Sequence, residues 1–360
     1  MVFLLKGIKM RLPSQQENIF SRNNYYDNCK FLLILLVILA HMISPAREGL
    51  LTHNNFCNSI CMLIHLFVMP SFLIISGYFS PTIIDQKHLK NLVSLVLVPY
   101  LVFEIFFKMT VPPKLDQADL FIESFYTLWF LAVLFLYRIT VPFIKYLKLS
   151  PIMVALLLIS FLSHLEIKWI MWGEWNFVKY APYFLIGVWL RRKRIDISSY
   201  DASLSAKLLA AFAIFSVWLT IFFLQIDFQE VIPDSSYAGK TTGLMLLIRK
   251  YSSLDSIALD IIYRSVGLIL AVCFFILFPK NKYIISKFGK NSLYPYLLHP
   301  VLMYFLEKTG FYGNETTIIF LGSLFLLSAI ITVVLSTEIV GRCFNKFFRF
   351  IGDFLMRKKN

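Results

Sequence analysis

Lys30 and His41 are the first residues in the chain whose types and spacing allow chemistry, and they bracket an unbroken apolar run from Phe31 to Ala40. On a helix, residues eleven apart lie within about 20° of one face and roughly 16 Å apart along the axis. A cation at one end and an imidazole deep inside suit an anionic ligand and a proton acceptor. Ser292, Tyr296 and His299 form a second set, at the i, i+4, i+7 spacing of one helical face. A buried imidazole either lends one hydrogen bond to a neighbouring helix or serves as a general base. Two histidines at similar depth on separate helices favour the functional reading. Glu104 with Lys108, and Asp260 with Arg264, stand four residues apart, which allows an intrahelical ion pair or, in a cavity, a grip on a polar acceptor. Cys57, Cys61 and His65 share a face at four-residue steps. An ordinary packing stripe explains them without a metal, and no metal site is expected.

The elements that must carry these residues are set by composition. With 360 residues, 58% hydrophobic and 17% aromatic, the chain predicts an all-α, polytopic membrane protein. Apolar runs long enough to cross about 30 Å of hydrocarbon fall at 30–45, 56–78, 91–111, 119–141, 151–169, 177–190, 206–226, 256–278, 291–306 and 317–341. Ten crossings put both termini on one side. Of the 35 Lys and Arg, most fall on that same side, in alternating loops that include Arg138, Arg191-Arg192-Lys193-Arg194 and the residues 280–290. Positive charge concentrates in cytoplasmic loops, so both termini are expected in the cytoplasm.

That topology accounts for the net charge of +14, with anionic lipid or an anionic cytoplasmic ligand as its partner. No basic cluster interleaves with aromatics on a polar segment, so nucleic acid is not expected. The division is a cytoplasmic N-terminal segment at 1–22, a transmembrane domain at 23–341 and a basic cytoplasmic tail at 342–360. Residues 1–13 do not make a signal peptide, so the first helix is expected to be its own insertion signal. Five scattered cysteines imply no disulfide framework, and Asn314-Glu315-Thr316 is a short match to a glycosylation sequon.

The inner face is rich in lysine and the outer face mixed in charge, which suits a phosphorylated donor from inside and a neutral or weakly polar acceptor from outside. No P-loop, HExxH, GxSxG or dinucleotide fingerprint is present. The ordered set Asp27-Asn28-x-Lys30 with His41, Met69-Pro70-x-Phe72 running on to Ser76-Gly77-Tyr78, Pro99-Tyr100, Trp129-Phe130-Leu131, Asn291-Ser292-Leu293 and Tyr296-Leu297-Leu298-His299 resembles the membrane acyltransferase-3 family. The resemblance covers about 22 to 341 and is closest to the branch of fucose and polysaccharide O-acetyltransferases. Three positions depart from the pattern: Lys30 replaces the arginine of many relatives, Val68 stands where close relatives have a histidine, and Ser94 where a second basic residue precedes the Pro-Tyr pair.

This resemblance implies a bacterial, multi-pass protein of the plasma membrane that transfers acetyl from acetyl-CoA to a hydroxyl of an extracytoplasmic glycan or lipid-linked sugar. Catalysis would rest on His41 as general base, with His299 or Tyr296 orienting the thioester or stabilising the oxyanion. CoA would dock near Lys30, Lys90, Ser76 and Tyr78, and Glu104, Asp260 and Arg264 would serve the acceptor. The competing expectation is a proton-coupled transporter or flippase of a polysaccharide precursor, although the halves show no internal repeat.

Overall fold

The computed structural model describes residues 23–49, 55–81, 83–110, 127–144, 146–149, 174–225, 253–311 and 318–356. Every regular element among them is a helix, in keeping with the expected all-α class. In order these are α1 (Asn24–Gly49), α2 (Asn55–Tyr78), α3 (Gln86–Leu92), a π-turn (Val93–Leu97), α4 (Val98–Thr110), α5 (Trp129–Ile144) and α6 (Glu174–Arg192). After a 3₁₀ turn at Ile197–Ser199 come α7 (Leu204–Phe223), α8 (Ser253–Leu277), α9 (Ile284–Gly289), α10 (Leu293–Lys308), α11 (Ile318–Leu335) and α12 (Glu338–Leu355). Among the described residues four helices are long and apolar enough to cross a membrane, with α3 to α4 counted as one span and the bent pair α11–α12 as a possible fifth. The expected crossing at 151–169 lies outside the described residues.

The first helix exceeds its expected bounds by the widest margin. α1 starts six residues before Lys30 and continues past Ser44-Pro45. Its early start has a visible cause. Asn28 donates from Nδ2 to the carbonyls of Pro279 (3.1 Å) and Asn281 (2.9 Å), and its Oδ1 accepts from Ser286 Oγ (2.6 Å). Tyr25 donates to the Phe275 carbonyl and Tyr26 to Asp196 Oδ1, each at 2.7 Å. Gly289 rests on the Asp27 backbone so closely that a Cβ would overlap the Asp27 carbonyl oxygen. The Asp27-Asn28 pair is therefore an anchor that fixes the start of α1 against the α8–α9 connection, and Lys30 and His41 inherit their positions from it.

The tightest helix pair is α2 with α6. A Cβ on Gly77 would meet the Phe184 carbonyl oxygen at 2.0 Å, and one on Gly187 would meet the Ile74 carbonyl oxygen at 2.1 Å. Without a hydrophobic driving force between helices in lipid, small residues that let backbones touch are a principal source of association. Pro70 within α2 cannot pair with the Leu66 carbonyl, and Gly267 of α8 packs against that freed oxygen. This proline-freed group is thus covered by a neighbouring helix.

Pro99 likewise explains the π-turn. It removes one backbone donor at the point where α3 passes into α4, and the ladder widens by one residue over Val93–Leu97. Ser94 in this turn is buried beneath Gly352 of α12, where an added Cβ would lie 2.0 Å from its Oγ. A long basic side chain has no room there, which accounts for the departure at position 94. Most of the expected basic tail, Arg342 to Leu355, is thus helical and packed on the bundle.

Candidate functional site

A cavity of about 420 Å³ opens among α1, α2, α3, the π-turn, α5 and α10. Its polar lining is Lys30, Ser76, His88, Asn91, Arg138, Ser292 and Tyr296, set in a wall of apolar residues that includes Ile34, Phe72, Phe130 and Leu134. Lys30 reaches the cavity while pairing with Asp27 at 2.8 Å, its side chain still 27% exposed. His88 is aimed by Asp85, which caps α3: the His88 backbone N–H and ring Nδ1 both lie 2.7 Å from Asp85 Oδ1. Those two contacts hold the Asp85 carboxyl below the usual carboxylate range.

Arg138 is the strongest anion-seeking group in the cavity. Its Nε is buried without a hydrogen-bond partner. A guanidinium offers five donors in a planar fork matched to phosphate and carboxylate. By sequence Arg138 reads only as a cytoplasmic stop at the end of a helix; its place in the cavity follows from the turn that α5 presents to Leu131, Leu134 and Arg138 at i, i+3 and i+7, a spacing that was visible.

From Tyr296 a file of rings leads away from the cavity. The Tyr296 and His299 rings lie 6.2 Å apart, His299 stacks on His41 at 5.3 Å and 29°, and His41 meets His65 edge-on at 6.3 Å and 82°. His41 and His299, expected to share depth, are therefore brought face to face. His65 is the addition. Position 65 lies 300° back from position 68 in helical rotation, which is the same as 60° the other way, so its ring lies close to the face of position 68, one turn along α2.

Backbone carbonyls set the tautomers of the flanking rings. His299 Nδ1 lies 2.9 Å from the Pro295 carbonyl and His65 Nδ1 2.8 Å from the Cys61 carbonyl. A carbonyl only accepts, so each neutral ring carries its proton on Nδ1 and its lone pair on Nε2. His299 is fully buried, and its Nε2 has no partner. Its Nδ1–H is committed to Pro295, and the Tyr296 hydroxyl is committed to the Thr127 carbonyl. In this arrangement neither group points a proton at the cavity, so both are acceptors or positioning groups first.

The remaining expected site residues lie elsewhere. Lys90 pairs with Asp353 of α12 at 2.6 Å, and Tyr78 stacks on Tyr26 at 5.4 Å; neither lines the cavity. Glu104 and Lys108 form the expected pair at 2.8 Å, with the carboxylate buried. Arg264 donates to the Lys179 carbonyl at 2.5 Å and is buried, and Tyr183 donates to the Arg264 carbonyl at 3.1 Å. The side chain of Asp260 lies outside the described residues. In the Cys57, Cys61, His65 stripe, Cys61 Sγ faces the Ala40 carbonyl at 3.8 Å, a packing contact between α2 and α1.

No curated protein and no solved structure matches the chain significantly. Residues 23–337 match the acyltransferase-3 family, described as an acyltransferase domain. That match takes in every residue of the cavity and of the ring file, and on it the chain belongs to the acyltransferase-3 family of membrane acyltransferases.

Proposed function

We propose that this protein is an O-acetyltransferase that takes acetyl from cytoplasmic acetyl-CoA and delivers it to a hydroxyl of a surface polysaccharide or lipid-linked sugar. The observation that carries the reading is the continuity from a cation-lined cavity, through Tyr296, to the stacked pair His299 and His41. Lys30 and Arg138 suit the anionic end of CoA, and the apolar wall between them and Tyr296 suits the pantetheine arm. The thioester then reaches toward His41.

In the reaction the acceptor oxygen attacks the thioester carbonyl while His41 removes the hydroxyl proton. The tetrahedral intermediate collapses with cleavage of the C–S bond, and the imidazolium returns the proton to the departing thiolate. Acetyl moves from sulfur to oxygen and one proton moves from oxygen to sulfur. General-base assistance of this kind contributes about 10²–10⁴ in rate. His299 serves as a positioning residue: its stacked ring fixes the plane of His41, and its Nε2 lone pair supplies a second basic nitrogen beside it.

Mass spectrometry of surface glycans from cells with the wild type, a deletion and His41→Ala tests the proposal. An increment of one acetyl group present only with the wild type is expected. Unchanged glycans in all three strains, with glycan movement across the bilayer lost in the deletion, would replace it with a transporter.

A further inference from the structure

α12 has three faces of different character: one is buried on the protein, and of the other two the basic one touches it through the Asp353–Lys90 pair. Gly341, Phe348 and Gly352 are buried, with Gly341 against Asn291 and Gly352 against Ser94. Phe344 and Phe348 pack on Phe103 at ring distances of 6.5 Å. A second face carries Ile339, Phe347, Phe350 and Phe354, all exposed, with Phe350 at 76% and Phe354 at 87%. The third carries Arg342, Lys346 and Arg349, at i, i+4, i+7, also exposed.

The helix also has a defined place. It follows α11 directly and turns by 56° from it. The turn is held by Asn291, whose Nδ2 donates to the Ser336 carbonyl at 3.0 Å and lies 3.4 Å from that of Thr337. Its far end is tied by the Lys90–Asp353 pair. An apolar face beside a basic face, on a helix bent off the end of an apolar span, is the pattern of a helix lying in the membrane interface. Basic side chains there attract the anionic lipids of the cytoplasmic leaflet at about 1 kcal/mol each.

We infer that α12 is an anionic-phospholipid site: Phe347, Phe350 and Phe354 enter the acyl region while Arg342, Lys346 and Arg349 hold phosphate headgroups. The consequence reaches the cavity, because the buried face of α12 braces the π-turn and α3, whose Asn91, Leu92, Leu95 and Val96 form one cavity wall. Headgroups on the basic face hold the brace in place. This inference does not depend on the acyl donor or acceptor.

Cys343 supplies a built-in reporter. It is exposed, while Cys29, Cys57, Cys61 and Cys273 are buried, and it lies on the apolar face between Ile339 and Phe347. The full-length protein, labelled at Cys343 with a small fluorophore, is reconstituted in vesicles of phosphatidylcholine with and without phosphatidylglycerol. Quenching by acyl-brominated lipid and protection from aqueous iodide are expected. Native mass spectrometry is expected to find phosphatidylglycerol retained over phosphatidylcholine, with that preference falling roughly tenfold or more in R342Q/K346Q/R349Q. Quenching by iodide alone places the helix in water and overturns the inference. Protection from both quenchers means that protein, such as a second copy, covers the face, and overturns it equally. An unchanged lipid preference in the triple variant removes the three basic residues from the account. None of these readouts uses transfer activity, so they stand or fall apart from the acetyltransferase reading.

Discussion

The two ends of the path that runs from the cavity into the ring file are built on opposite principles. At the mouth, Lys30, His88 and Arg138 are charged or polar side chains on three different elements, two of them oriented by single carboxylates, Asp27 and Asp85. At the inner end, Tyr296, His299 and His65 are buried or half-buried rings whose polar hydrogens are committed to backbone carbonyls. A mouth of basic side chains recognises charge. An inner end of rings tied to helix backbones fixes tautomer and plane, which proton transfer requires. On the proposed function, binding and chemistry separate along one path, and substitutions at the two ends should have different kinetic signatures.

The largest effect is expected at the inner end. His41→Ala should lower kcat for acetyl transfer about 10²–10⁴-fold with donor binding little changed, measured with labelled acetyl-CoA on reconstituted protein. The converse applies at the mouth. Arg138→Gln should raise the donor KM roughly 10- to 100-fold, the scale of a lost charge-assisted hydrogen bond, with kcat nearly kept. A fall in kcat without a change in KM would erase the contrast between the two ends.

Between these stands His65→Gln, which removes the edge-on ring against His41 while keeping a polar group of similar reach. A decrease of a few fold in kcat, with an altered pH–rate profile, is expected; a purely structural His65 would leave the profile in place. The smallest effect belongs to Asp85. Its folded carboxyl titrates below the usual range, so its contact with His88 is fully present above the ordinary carboxylate pKa and is lost as pH falls through the depressed value. Donor KM should accordingly rise slightly on acidification in the wild type, and Asp85→Asn should flatten that rise.

Much of this was legible in the sequence. The apolar runs gave the helices, because length and hydropathy are enough when lipid is the solvent. Lys30 and His41 were legible because eleven-residue spacing brings two side chains onto one face whatever the helix packs against. The meeting of His41 with His299 required relative depth, which the alternating basic loops supplied. Other features depended on packing. The role of Asn28 arises only when α9 is brought to α1, and Lys90 turns away from the cavity because Asp353, from the far end of the chain, takes its charge. α12 was obscured by its basic residues, which read as an inside-facing tail. The spacing of Gly341, Phe344, Phe348 and Gly352 carried its buried face all along.

The account turns on His41 as the group that performs the chemistry while the mouth does the binding. Its most direct test is a single-turnover experiment with labelled acetyl-CoA and wild-type or His41→Ala protein in vesicles, following donor occupancy and acetylated acceptor together. Donor bound with near wild-type affinity but not turned over is the predicted result for His41→Ala. Acetylated acceptor formed by that variant at the wild-type rate would contradict it.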